Sequence, residues 1–162
     1  LRSANRLNEA LGDRGHVNVT SFNRQVLLTG EVPSAQDRQR VEQVVLGVEN
    51  VRSVVNDLAV MPPTSLGQRS NDTFITGKVR ASLVDAKDLS ASAFKVVTER
   101  NVVYLMGRVT PREAQRATEI ARGVSGVSKV VRVFEMLTEE ELRNITPAPV
   151  VQDAPPASTP RN

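Results

Sequence analysis

The chain has 162 residues, 40% hydrophobic, 24% charged and 3% aromatic, which suits one medium or two small folded domains and excludes collagen-like or wholly disordered chains. It contains no cysteine, one histidine, no apolar run near the roughly 18 to 20 residues that span a bilayer, and no signal-peptide pattern at Leu1, so a soluble or mature chain without disulfides, thiolate catalysis, cysteine-based zinc sites or histidine-centred triads is expected. The net charge of +3 is uneven: residues 1–61 balance, residues 69–137 carry +5 and residues 138–162 carry −2, so an anionic partner is expected to prefer the second half.

In chain order, the opening helix places Ala4, Leu7 and Leu11 on a core stripe, with Arg2, Asn5, Arg6 and Glu9 opposite. Two strands follow, Asn18-Val19-Thr20 and Val26 to Val32, separated by a turn at Asn23-Arg24. His16, beside Gly15 at the start of the first strand, reads as structural or simply exposed. The next helix is capped by Ser34, ends near Gly47 and carries Val41, Val44, Val45 and Val48 as one apolar stripe. A valine-rich strand, Val51 to Val55, closes the unit.

The same order then recurs. Val26-Leu27-Leu28-Thr29-Gly30-Glu31-Val32 lies 77 residues before Val103-Tyr104-Leu105-Met106-Gly107-Arg108-Val109, both with the pattern V-x-L-x-G-x-V. Lys95-Val96-Val97 matches the first strand, Arg100-Asn101 the turn, and Val127 to Val131 the last strand. In the matching helix Thr110 and Pro111 supply the start, Gly123 the end, and Ala117, Ile120, Ala121 and Val124 the stripe. The predicted organisation is therefore α+β: two units at 3–61 and 70–137, each αββαβ with a three-stranded mixed sheet covered on one face by two helices. Residues 62–69 read as an uncharged Pro/Gly/Ser linker. After residue 137, Thr138-Glu139-Glu140-Glu141 is expected to open one short helix, followed by an extended, disordered tail containing Pro147, Pro149, Pro155, Pro156 and Pro160. Units this small bury little, so the two copies are expected to lean on each other.

The helix from Ser70 to Val84 departs from its counterpart. At about 100° per residue, Ile75, Val79 and Leu83 share an arc of about 80°, the core face. Phe74, Gly77, Ala81 and Val84 share a second arc of about 80° nearly opposite, with Lys78 and Arg80 just outside its two edges. A helix apolar on two opposite faces has two things to bury against. Gly77 costs roughly 1 kcal/mol against alanine inside a helix, a cost that fits close approach by another surface. Three occupants fit the second stripe: the linker or first unit, a protein partner, or a membrane. For a membrane, an exposed Phe contributes roughly 1.5 to 3 kcal/mol and each nearby basic residue roughly 1 kcal/mol. The gross total of about 4 to 6 kcal/mol gives weak, reversible attachment.

The V-x-L-x-G strand, the glycine after the second helix and the valine-rich last strand resemble the BON domain. Two in tandem, with the stretch Ser70-Asn71-Asp72-Thr73-Phe74-Ile75-Thr76-Gly77-Lys78-Val79-Arg80, resemble the dual-BON envelope lipoproteins over roughly residues 3 to 136. That resemblance implies a non-enzymatic protein without cofactor or metal, in the periplasm on the inner leaflet of the outer membrane. The implied anchor is a lipidated N-terminal cysteine, which is not in this sequence. It further implies binding of anionic phospholipid (phosphatidylglycerol, cardiolipin) through the second BON domain, concentration at the division site, and support of envelope integrity. The implied contact residues are Phe74, Gly77, Lys78, Arg80, Ala81 and Val84, with Phe74 where the family pattern has Trp and Val84 where it has Leu. A monomer is expected, with other envelope proteins as further partners. A protein adaptor using the same helix face is the alternative reading.

Two rival readings are weaker. Nucleic-acid surfaces combine a basic stripe with stacking aromatics, whereas Phe22, Phe94, Tyr104 and Phe134 fall in or near strand patterns and read as core. Asp85, Asp88 and the run Glu139-Glu140-Glu141 have no base, nucleophile or phosphate loop beside them, so they read as solvated charges.

Overall fold

A computed structural model describes residues 2–145, with side chains from Leu7 to Asn144. The side chains of Arg2, Ala4, Asn5 and Arg6, and the prolines from Pro147 onward, lie outside the described residues.

The first unit runs α1 (Arg2–Leu11), β1 (His16–Phe22), β2 (Gln25–Val32), α2 (Ala35–Leu46), β3 (Ser53–Asn56) and β4 (Ala59–Val60). The second runs α3 (Leu66–Asp85), β5 (Lys95–Glu99), β6 (Val102–Val109), α4 (Pro111–Arg122) and β7 (Lys129–Met136), and α5 (Glu139–Ile145) follows. In each sheet the second strand is central, antiparallel to the strand before it and parallel to the one after the helix. The third position of the first sheet is shared by β3 and β4, which both pair with β2 and are interrupted at Asp57-Leu58.

The local chemistry explains these elements. Both hairpins close with two residues of positive φ, Asn23 and Arg24 at 51° and 64°, Arg100 and Asn101 at 50° and 67°, the turn whose twist matches paired strands. Ser34 accepts a hydrogen bond from the Asp37 amide, and Thr110 with Glu113 forms a complete capping box behind Pro111. Thr138 and Glu141 cap α5 reciprocally. Gly47 and Gly123 do end α2 and α4, but with right-handed φ of −79° and −81°. The left-handed residues that reverse the chain are Asn50 and Gly126, three positions on.

The glycine of V-x-L-x-G is required by close approach. A Cβ on Gly30 would stand 2.0 Å from the His16 carbonyl oxygen, and one on Gly107 2.4 Å from that of Ala93. Gly107→Ala is expected to lower stability by roughly 2 to 4 kcal/mol, read as a fall in the urea midpoint.

Alternation along the central strands separates three cores. Val26, Leu28 and Val32 pack with Leu7, Leu11, Val41 and Val45 under α1 and α2. Val103, Leu105 and Val109 pack with Ile75, Val79, Leu83, Ala117 and Ala121 under α3 and α4. The residues between them, Leu27 on β2 with Tyr104 and Met106 on β6 and Val133 on β7, form a third cluster joining the open faces of the two sheets. The layers are thus helix, sheet, sheet, helix. Phe94 and Phe134 meet edge to face in the second core, and Phe22 packs against the middle one. The expected stripe on α2 holds only in part: Val41 and Val45 are buried, whereas Val44 and Val48 are exposed. Val48 lies beyond the helix end, and Val44 sits about 80° round the helix from the line midway between Val41 and Val45.

Polar contacts fasten the domains around that middle layer. Asp57, at the break between β3 and β4, accepts from the Tyr104 hydroxyl at 2.5 Å; burial and this bond push the phenol above its ordinary pKa. Glu135 takes Arg52 at 2.5 Å and Asn23 at 3.3 Å. Lys95 donates to the Ser21 carbonyl. Glu31, fully buried, accepts from the Arg100 guanidinium, His16, and the amide and hydroxyl of Thr64.

Burial alone raises the Glu31 pKa, but its hydrogen bonds and the Arg100 charge outweigh that and hold it at about 2 instead of 4.5. A depressed carboxylate stabilises above its unfolded pKa, and the contribution is lost as pH falls from about 4.5 to about 2. Roughly 3 kcal/mol is at stake. Denaturation midpoints measured across that window should fall steeply in the wild type and less steeply in Glu31→Gln.

Candidate functional site

The helix α3 is longer than its sequence signature. It begins at Leu66, capped by Ser65 accepting from the Gln68 amide at 3.1 Å, so four residues read as linker belong to its first turn. Asp72, near the predicted helix start at Ser70, is a buried anchor inside α3. Its carboxylate accepts from the backbone amides of Arg100 at 2.9 Å and Asn101 at 3.0 Å, pinning the β5–β6 turn to the helix. Gln68 supports it from one turn back at 2.9 Å. Ile75, Val79 and Leu83 are buried, as the wheel requires.

The opposite face is open. Phe74 is 64% exposed and Val84 68% exposed, while Gly77, Arg80 and Ala81 are exposed between them. At that exposure Phe74 does not serve as a contact with the linker or the first domain, the blandest of the three readings. A Cβ at Gly77 would meet nothing within 4 Å, so none of the described residues requires the glycine. Gly77→Ala should therefore raise stability by about 1 kcal/mol, measured by urea denaturation.

Lys78 is half-buried and tethered. Its Nζ donates to the Ser125 carbonyl at 2.7 Å and hydroxyl at 2.9 Å, and lies 4.8 Å from the Phe74 ring centroid. It thus fixes the turn after α4 and holds the ring by a cation–π contact. Arg80, on the other edge, projects into solvent.

One member of this face escaped the sequence reading. Leu66, 78% exposed, lies at the same helical angle as Val84, eighteen residues away. The apolar lane therefore runs about 27 Å along α3. Its signal was the Ser65 cap, hidden inside a Pro/Gly/Ser segment. Asp88, by contrast, pairs at the surface with Arg112 at 3.6 Å and Arg116 at 3.2 Å, in keeping with a solvated charge.

Two αββαβ units with this motif define the class: residues 3–62 and 71–138 each match the BON domain, and the chain belongs to that family. Among individual relatives, it is 38% identical over 123 residues to "Outer membrane lipoprotein DolP" of Haemophilus influenzae, a match covering 76% of this chain and 64% of that protein. It is 32% identical to a "21 kDa hemolysin" of Actinobacillus pleuropneumoniae with the same two coverages, and 32% identical to "Osmotically-inducible protein Y" of Escherichia coli over 70% of this chain and 58% of that one. The chain thus spans less than two thirds of the length of these relatives. No described helix is long and apolar enough to cross a membrane.

Proposed function

We propose that this chain is a non-enzymatic protein of the bacterial envelope that docks on anionic phospholipid through the outer face of α3 and supports envelope integrity. The observation that carries the reading is the exposed lane of Phe74, Ala81 and Val84, with Gly77 leaving room for a flat surface and Arg80 on its edge. Likeness to a protein named as an outer membrane lipoprotein supports placement at the periplasmic face of that membrane. The lane lies on an outer layer of the four-layer stack, so a bilayer meets it without separating the domains.

Cosedimentation with phosphatidylglycerol and cardiolipin vesicles, set against phosphatidylcholine vesicles at low and high salt, tests the reading. Selective binding weakened by salt is expected. Absence of binding by a folded chain, or equal binding to neutral vesicles, would turn the same face into a site for a protein partner.

A further inference from the structure

The two domains meet at a polar cleft of about 400 Å³ whose walls include His16, Asn18, Arg69, Asp72, Thr76 and Glu99. Three donors converge beside it. One ligand atom each from His16, Glu31 and Glu99 lies within 4.8 Å of the others. The first two come from β1 and β2 of the first domain, and the third ends β5 of the second.

Their charges do not balance locally. Glu31 has the Arg100 guanidinium on one oxygen, with His16 Nδ1 at 3.1 Å from the other. Glu99 is just as buried, at 2% exposure, yet it accepts from neutral groups, Asn18 Nδ2 at 2.5 Å and the Thr29 hydroxyl at 2.8 Å. Arg69, which lines the cleft, points its Nε at the Thr64 hydroxyl, 3.5 Å away. A buried carboxylate without a counter-charge is costly, and a cation in the cleft would remove that cost.

We propose that this cleft binds a divalent transition-metal ion through His16, Glu31 and Glu99. One imidazole nitrogen and two carboxylate oxygens suit Zn²⁺, whereas Mg²⁺ and Ca²⁺ favour all-oxygen sites. Ligand bonds of about 2.0 to 2.2 Å require the donors to draw together by roughly 1 Å. The cleft leaves a fourth position for water. Because the ligands come from both domains, the ion clamps one BON domain to the other. The site is independent of the lipid-docking face.

The test uses the tag-free full chain with Zn²⁺ as the probe, read by calorimetry and by the imidazole resonances. His16 is the single histidine, so those resonances are unambiguous. One Zn²⁺ per chain is expected, with a shift of the His16 signals and a raised thermal midpoint. His16→Gln and Glu99→Gln should each weaken binding at least about tenfold. Unshifted His16 signals in the folded wild type at millimolar Zn²⁺ would overturn the proposal. Undiminished affinity in Glu99→Gln would overturn it as well. The wild-type shift decides the matter even where a variant folds poorly, because it needs no substitution.

Discussion

Phe74→Glu is expected to abolish cosedimentation with phosphatidylglycerol and cardiolipin vesicles while leaving the thermal melt unchanged. The two effects separate because the ring is mostly outside the fold. Folding loses one cation–π contact with Lys78, worth about 0.5 to 1 kcal/mol at an exposed site, and gains a Glu–Lys pair at i, i+4 worth about 0.3 to 0.5 kcal/mol. Membrane attachment loses the Phe contribution of roughly 1.5 to 3 kcal/mol and acquires a negative charge facing anionic headgroups. Against a gross attraction of only about 4 to 6 kcal/mol, that is enough to bring affinity below detection. A melt that collapses with Phe74→Glu would place the ring in the folding core, contrary to its exposure. Unchanged vesicle binding with an unchanged melt would remove α3 from the membrane contact.

The length of the lane bears on how the helix lies. With Leu66 and Val84 at one angle and about 27 Å apart, α3 presents a line of contact parallel to a surface instead of a single inserted tip. Lys78 contributes less than its position on the wheel implies, since two hydrogen bonds to Ser125 hold its charge at the fold. Arg80 is the freer cation. Attachment remains reversible by these magnitudes, so residence on a membrane depends on a second anchor.

Much of this was legible in the sequence because repetition supplied an internal control. The duplicated V-x-L-x-G strands define the element order, and the wheel of residues 70–84 separates Ile75, Val79 and Leu83 from Phe74 and Val84 on spacing alone. Other features were hidden for physical reasons. Asp72 resembles an ordinary cap, and only the β5–β6 turn folding back onto α3 shows that its carboxylate serves two backbone amides. His16 and Glu31 are cross-strand partners on the β1–β2 hairpin, and Glu99 joins them only when the two sheets stack. That stacking did leave a trace: Val26-Leu27-Leu28 and Val103-Tyr104-Leu105-Met106 are apolar at consecutive positions, as strands covered on both faces are. This signal for sheet stacking is stronger than the one from size alone.

The largest effect on stability is expected at that middle layer. Leu27 is fully buried between the sheets, clustered with Tyr104, Met106 and Val133. Truncation to Ala should cost about 2 to 5 kcal/mol through lost burial and the cavity left behind. Leu27→Lys goes further, because an ammonium forced among the buried side chains of Tyr104, Met106 and Val133 costs more than a void, and the chain relieves it by parting the sheets. Parting exposes Tyr104 and Met106 and strips Tyr104 of Asp57 and Glu31 of Arg100. Each domain is then a unit of marginal size. A single cooperative transition in the wild type should become an early, broadened one in Leu27→Lys, with increased binding of a hydrophobic dye below the main melt. The α3 face lies on the far side of its sheet from this layer, so vesicle binding per folded second domain should survive. A Leu27→Lys protein that melts like the wild type would mean that the sheets do not pack face to face in solution, and the inter-domain cleft would fall with them.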